Sequence, residues 1–98
     1  MKLVVTEAAL ADLRSIRAYT LERWGKTQEQ RYLDGLWTKF EAIKVAPGRY
    51  RLRPDLFVGC RIAVKGRHVI LFRAGEDVLE IVRVLHGAMD FKRQWLRG

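Results

Sequence analysis

The sequence predicts a single α+β domain in which an N-terminal strand and an antiparallel helical hairpin pack on a small antiparallel sheet, followed by a short C-terminal helix or tail. Two amphipathic stretches of helical period fill the first half of the chain, and three strand-like runs joined by turn residues fill the second. A length of 98 residues leaves room for one core only. Residues 1–98 are therefore expected to form one domain.

The first strand and the first helix are expected at the N-terminus. Lys2–Val5 has the composition of a short strand, and Thr6 offers a hydroxyl N-cap to a helix beginning at Glu7, whose charge suits the helix dipole. Apolar residues then recur three or four positions apart until Gly25, a plausible left-handed stop. The expected stripe is Ala9, Leu13, Ile16 and Thr20, widened by Leu10, Ala18 and Leu21.

A second helix is expected to follow Thr27, which would cap it in a capping box with Gln30, and to end at Ala46-Pro47-Gly48. So short a link forces the two helices into an antiparallel hairpin. Gly35 should cost about 1 kcal/mol relative to Ala, which favours close approach of another backbone. The expected apolar face is Tyr32, Leu33, Leu36, Trp37, Phe40 and Ile43, and both Trp24 and Trp37 are interpreted as core residues.

The remaining strands are expected at residues 58–64, 67–73 and 78–85, after an irregular basic segment at 49–57. A two-residue turn at Lys65-Gly66 would pair Ile62 with Val69, and a second turn at 75–77 would bring the last strand alongside. One face should pack on the helices: Cys60, Ile62, Val64, Val69, Leu71, Val82 and Val84. The other face holds Arg61, His68, Ile70, Phe72, Ile81, Arg83 and Leu85, with the amphipathic segment 88–96 expected to lie over it.

Composition excludes several classes of site. A single Cys60 cannot form an internal disulfide, and one cysteine with two histidines nearly excludes a metal cage. No signal peptide or membrane-length apolar run is present, so a cytoplasmic protein without a cofactor is expected. The net charge is +8, and residues 49–73 hold seven basic side chains against Asp55 alone. Such a patch attracts nucleic acid or an acidic protein surface.

Several motifs together resemble the ParE branch of the RelE/ParE toxin superfamily. The resemblance covers essentially the whole chain and includes the order of strand, helical hairpin, three antiparallel strands and tail. The residues that carry it are Ala9…Asp12-Leu13…Ile16…Tyr19, Trp24-Gly25…Gln28…Tyr32, Pro47-Gly48-Arg49, Gly59-x-Arg61, Gly66-Arg67-His68-Val69-Ile70 and Arg83-Val84-Leu85-His86-Gly87-x-Met89-Asp90.

The resemblance implies the toxin of a type II toxin–antitoxin module, which poisons DNA gyrase by protein contact and is neutralised by a ParD-like antitoxin in a hetero-oligomer. No membrane is implied, and DNA would be met only through the gyrase or antitoxin complex. We expect target contacts at Arg61, Arg67, Arg83, His86, Met89, Asp90, Arg93 and Trp95. We expect antitoxin contacts at Arg49, Arg51, Arg53 and Arg73.

The alternative is a ribosome-dependent mRNA endoribonuclease of the RelE kind. That reaction needs a general base, cations on the developing charge and an acid. RelE-like relatives usually supply a C-terminal Tyr or His, whereas this chain has no Tyr after Tyr50, which leaves His86 as the plausible base. A non-enzymatic toxin is therefore favoured.

Each candidate also has a structural interpretation. Arg61 and Arg83 could pair with carboxylates across the sheet, with Glu80 and Asp90 as candidates. His68 reads as a strand-surface histidine, and His86 could hydrogen-bond the turn at Gly87 instead of transferring a proton. Cys60 reads as a core filler. Trp95 could anchor an interface or pack on Ile70 and Phe72.

Overall fold

A computed structural model describes residues 1–87 and confirms the α+β fold class. The expected C-terminal helix or tail lies outside the described residues. The elements in chain order are β1 (Lys2–Val5), α1 (Glu7–Trp24), α2 (Lys26–Val45), a 3₁₀ turn (Pro47–Arg49), β2 (Arg51–Leu52), β3 (Arg61–Lys65), β4 (His68–Ala74) and β5 (Val78–His86).

The sheet is mixed, where the sequence predicted an antiparallel one. Its strand order is β1-β5-β4-β3-β2, and β1 runs parallel to β5 from the pair Lys2 and Val78 to the pair Val5 and Ile81. The other neighbours pair antiparallel. A parallel pair requires a long crossover, which the helical hairpin and the intervening strands supply. Because β1 lies at the start of the described chain and its partner β5 at the end, no local sequence pattern indicates that the two strands pair.

The N-terminus of α1 is capped as predicted. Thr6 Oγ1 accepts a hydrogen bond from the Ala9 amide at 3.0 Å, and the same hydroxyl donates to the Val82 carbonyl at 2.8 Å. The cap therefore also ties the start of α1 to β5. The capping box predicted at Thr27 is wrong, because α2 begins at Lys26 and its N-cap is Gly25, which makes no side-chain cap bond. Gly25, at φ 88°, both ends α1 and precedes α2.

The turn between β3 and β4 is Gly66-Arg67, one residue later than predicted. Lys65 pairs with His68, and Ile62 therefore lies opposite Leu71 and not opposite Val69. Gly66 has φ 58°, the left-handed value that a tight hairpin requires at this position. A Cβ at Gly66 would also come within 2.7 Å of the Tyr32 hydroxyl. The strand predicted from residue 58 begins only at Arg61, and the basic segment contains the short strand β2.

The helices cover the opposite sheet face from the one predicted. The inner core joins Ala63, Ile70, Phe72, Leu79, Ile81 and Val84 of the sheet to Ala9, Leu13, Ile16, Leu33, Leu36, Phe40 and Ile43 of the helices. Of the face expected to meet the helices, only Val84 does so. The outer cluster consists of Leu56, Cys60, Val69, Leu71 and Leu85, with Phe57 and Ile62 packed against it. A β-bulge between Leu71 and Phe72 shifts the register against β5.

Several residues assigned to the helical stripes are exposed. The residues Trp24 and Trp37 are 62% and 40% exposed, so their interpretation as core residues is wrong. The expected widening of the α1 stripe also fails, since Leu10, Ala18 and Leu21 are exposed. Gly35 does receive a close neighbour, but it is a side chain: a Cβ there would lie 3.0 Å from Lys65 Cε.

Candidate functional site

A groove of about 760 Å³ lies between the helical hairpin and the ends of β4 and β5. Its lining is mostly apolar and includes Ile16 and Leu85. Tyr19 and Trp24 lie on the α1 side and are 58% and 62% exposed. Large exposed aromatic side chains beside an apolar cleft are typical of protein interaction surfaces. We call this cleft the hairpin groove.

One wall of the hairpin groove is built on a buried ion pair between β5 and α1. Arg83 Nε and Nη2 donate to the two carboxylate oxygens of Asp12 at 2.7 and 2.9 Å. The Val84 amide donates to the same carboxylate at 2.9 Å. The hydrogen bond to Asp12 raises the pKa of Arg83 above its ordinary value. The Asp12 carboxylate thus neutralises the charge of Arg83 and also satisfies a backbone amide of β5.

Glu80, one of the two carboxylates expected to pair with Arg61 or Arg83 across the sheet, pairs with neither. The carboxylate partner of Arg83 comes from α1, while Glu80 pairs with Arg73 at 2.6 Å. Arg61 Nη1 instead donates to the Tyr50 carbonyl at 2.6 Å. The other candidate partner, Asp90, lies outside the described residues.

A tyrosine and two histidines meet on the floor of the hairpin groove. The Tyr32 hydroxyl lies 2.6 Å from His68 Nδ1 and 3.0 Å from the Lys65 carbonyl oxygen. The His68 and His86 rings are nearly perpendicular, with centroids 5.7 Å apart. Burial lowers the pKa of His68 most strongly, His86 lowers it further and Asp12 opposes both. His68 is half-buried in this cluster, so its interpretation as a surface histidine is wrong.

The structure brings together some of the predicted target-contact residues. Arg67, Arg83 and His86 all line the hairpin groove, whereas Arg61 does not. Met89, Asp90, Arg93 and Trp95 lie outside the described residues. The target contacts remain predictions.

The four predicted antitoxin contacts lie away from the hairpin groove. Arg53 pairs with Asp55 at 2.9 Å. Arg73 pairs with Glu80 and also lies over the Phe57 ring at 5.7 Å. Arg49 and Arg51 are exposed in the 3₁₀ turn and in the edge strand β2. An incoming partner would meet Arg49 and Arg51 directly, while Arg53 and Arg73 already have neighbours within the chain.

Sequence reasoning gave no chemical role to Asp12 or Tyr32, and it undervalued His68. Asp12 is 71 residues from Arg83, and Tyr32 is 36 residues from His68. No spacing rule connects residues so far apart. The available signal was that Asp12 stands directly before the buried Leu13, at the edge of an apolar helical stripe.

Other kinds of site receive no support from the described residues. Within residues 1–87, no group of three or more His, Cys, Asp or Glu side chains is placed to hold a metal ion. None of the helices in the same range is long and apolar enough to cross a membrane. Burial raises the pKa of the Cys60 thiol to about 11, which makes it a poor nucleophile.

Comparisons with known proteins place these features in context. A model of the family described as the ParE toxin of the type II toxin–antitoxin system parDE matches residues 3–91. Toxin ParE1 of Caulobacter vibrioides is 37% identical over 86 residues, which cover 88% of each chain. Toxin ParE of Escherichia coli is 36% identical over 89 residues, which cover 89% of this chain and 85% of that protein.

Two solved structures share the fold. One, the chromosomal ParDE toxin–antitoxin system of P. aeruginosa, has a TM-score of 0.74 at 19% identity and covers 88% of this chain and 95% of that one. The other, the toxin–antitoxin complex RelBE2 of Mycobacterium tuberculosis, has a TM-score of 0.56 at 22% identity and covers 87% and 95%.

Proposed function

Because this chain belongs to the ParE toxin family of type II toxin–antitoxin systems, we propose that it inhibits DNA gyrase in the cytoplasm by protein contact. The observation that carries the proposal is the hairpin groove, where exposed Tyr19 and Trp24 stand beside Arg67 on a mostly apolar cleft. Such a surface suits docking on another protein, because aromatic and Arg side chains supply much of the energy of protein interfaces.

We further propose that a ParD-like antitoxin neutralises this chain in a hetero-oligomer. The net charge of +8 attracts an acidic partner, and Arg49 and Arg51 offer exposed charge at the edge of the sheet. An acidic segment that folds on binding would gain apolar contacts in the hairpin groove. DNA would be met only through the gyrase or antitoxin complex.

A second candidate is the ribosome-dependent mRNA endoribonuclease. Tyr32, His68 and His86 supply a phenol and two imidazoles in one cleft, although the sequence lacks a tyrosine near its end. Such groups are able to move protons during ribose-assisted cleavage. The family match favours the gyrase toxin, so we treat cleavage as the alternative outcome.

The test adds the purified chain to gyrase supercoiling and DNA-cleavage assays and, in parallel, to a translating ribosome extract. We expect loss of supercoiling, accumulation of cleaved DNA and intact mRNA. Codon-specific mRNA cleavage with unaffected gyrase would replace this function by the endoribonuclease.

Matched variants sharpen this test. Trp24→Ala should weaken gyrase inhibition at least tenfold if the hairpin groove is the contact surface. Trp37→Ala is the control, since Trp37 is also exposed but does not line the hairpin groove. Equal losses in both variants would remove the hairpin groove from the mechanism. Antitoxin binding is measured separately, with a purified ParD-like antitoxin.

A further inference from the structure

The hydrogen bonds around Tyr32 favour one tautomer of His68. The Tyr32 hydroxyl has one hydrogen, and its oxygen lies within hydrogen-bond distance of both the Lys65 carbonyl and His68 Nδ1. The carbonyl can only accept. In the arrangement that satisfies both contacts, Tyr32 donates to the carbonyl and Nδ1–H donates to the Tyr32 oxygen, which also has a hydrogen bond with the Arg67 backbone. In the neutral ring this leaves Nε2 with a free lone pair. A further proton can bind Nε2 without breaking either hydrogen bond.

The charged and titratable groups around His68 come from every neighbouring element. Tyr32 faces it from α2, Lys65 from β3, Arg67 from the turn, and both His86 and Arg83 from β5. Asp12 on α1 is the single carboxylate among the described residues that line the hairpin groove. Its oxygens are already engaged by Arg83 and by the Val84 amide. Among the residues that the structure describes around His68, cations therefore outnumber carboxylates.

We propose that the hairpin groove contains a carboxylate subsite at His68 Nε2, which takes an Asp or Glu side chain of an acidic partner and binds one proton with it. The apolar neighbours of that side chain lie against Tyr19 and Trp24. This inference rests on the proposed function in one respect, since it takes the antitoxin to be the natural partner. The positive charge of the chain supports an acidic occupant.

Proton linkage gives the subsite a measurable signature. Burial keeps the pKa of His68 below its ordinary value in the free protein, so the ring is neutral at neutral pH. A carboxylate beside Nε2 favours the imidazolium and raises the pKa of His68 in the complex. Between these two pKa values, one proton is taken up on binding. Affinity therefore rises as the pH falls, by up to about tenfold per pH unit.

The probe is 3-phenylpropionate, which joins one carboxylate to an aromatic ring that suits the apolar lining. Its control is 3-phenylpropionamide, which has the same shape without the charge. Binding to the full chain is followed by NMR through the nitrogen shifts of His68, at about pH 8 and about pH 6. We expect the carboxylate to bind at least fivefold more tightly at the lower pH and the amide to bind equally at both. An unchanged carboxylate affinity, or undetectable binding, would overturn the subsite.

Three substitutions assign the effect to a residue. His68→Gln should abolish the pH dependence, whereas His86→Gln should retain most of it, because His86 only perturbs the titration of His68. Tyr32→Phe removes the hydroxyl that holds the proton on His68 Nδ1. In this variant we expect the NMR shift of Nδ1, as well as that of Nε2, to change as the pH is varied. Unchanged melting temperatures confirm that each variant is folded. If His68→Gln keeps the full pH dependence, the assignment to His68 is wrong.

The phenylpropionate measurement needs neither gyrase nor antitoxin, so it fails independently of the proposed function. Antitoxin capture and gyrase inhibition at a single pH test the proposed function alone. Antitoxin binding that is tight but independent of pH, together with pH-independent probe binding, would overturn the subsite and leave the proposed function standing.

Discussion

The two faces of the sheet are both covered, but by different kinds of structure. The inner face packs against α1 and α2, whose Leu36, Phe40 and Ile43 are fully buried. The outer face is closed by the segment 53–60, which contributes Leu56, Phe57 and Cys60 without a helix or a long strand. We therefore expect the helical hairpin to supply more of the stability than the outer segment, and we expect the outer segment to adjust locally.

The ion pairs on the two sides differ in the same way. Asp12 and Arg83 join α1 to β5 with side chains only 14% and 10% exposed. Arg73 and Glu80 pair across the outer surface, with side chains 51% and 31% exposed. A buried pair is costly to break because it leaves an uncompensated charge, whereas an exposed pair contributes little. The inner side is therefore the more sensitive to substitution.

The largest effect is expected for truncation of a leucine in the inner core. Leu79 and Leu71 are both strand residues with no exposed surface, but Leu79 faces the helices and Leu71 faces the outer segment. Leu79→Ala should lower the free energy of unfolding by about 4–5 kcal/mol, since the cavity cannot collapse. Leu71→Ala should cost about 2–3 kcal/mol, because the outer segment can move inward.

Urea unfolding of both variants, followed by circular dichroism, measures this difference. Because the two positions match in residue type, strand context and burial, a difference between the two costs does not come from intrinsic strand propensity. An equal cost at both positions would show that the outer segment is as rigid as the helices.

The parts of this fold that local sequence determines were predictable. The spacing of Ala9, Leu13 and Ile16 predicted the buried stripe of α1, and Thr6 was identified as its cap. Gly25 alone links the two amphipathic helices, and so short a link requires an antiparallel hairpin. These features depend on residues a few positions apart, where helical period and capping chemistry are informative.

The assignment of the sheet faces failed for a physical reason. Both faces of β4 are apolar, because Val69 and Leu71 alternate with Ile70 and Phe72 and all four are buried. Alternation therefore carries no information about which face meets the helices. The bulge at Leu71/Phe72 and the later turn also changed the pairing. The hairpin groove was not predictable either, since Asp12 and Arg83 are brought together only by the tertiary structure.

A smaller effect than that of Leu79→Ala is expected from Asp12→Asn, which keeps the shape of the side chain and removes its charge. Arg83 would remain buried without a carboxylate, at a cost of about 3 kcal/mol in the free energy of unfolding. Glu80→Gln is the matched control on the outer surface and should cost less than about 1 kcal/mol. Thermal melting of both variants checks the order. A larger loss for Glu80→Gln would reverse the comparison between the two sides.

The smallest effect is expected for chemical labelling of Cys60 in the native protein, which should barely proceed. Its pKa of about 11 leaves on the order of one thiolate in a thousand at about pH 8. The unfolded thiol has a pKa of about 8.5. The raised pKa therefore contributes stability fully below about pH 8.5, and this stability is lost as the pH rises toward 11. Alkaline conditions should open the outer segment first.

Iodoacetamide labelling of Cys60, followed by mass spectrometry, measures that opening, and hydrogen exchange of the Leu79 amide reports on the inner core. Leu71→Ala should accelerate labelling more than it accelerates exchange, because the outer segment can open while the helices stay packed. Leu79→Ala should accelerate both together, because it lowers the stability of the whole domain. Labelling that keeps pace with global unfolding in both variants would mean that the two faces open as one unit.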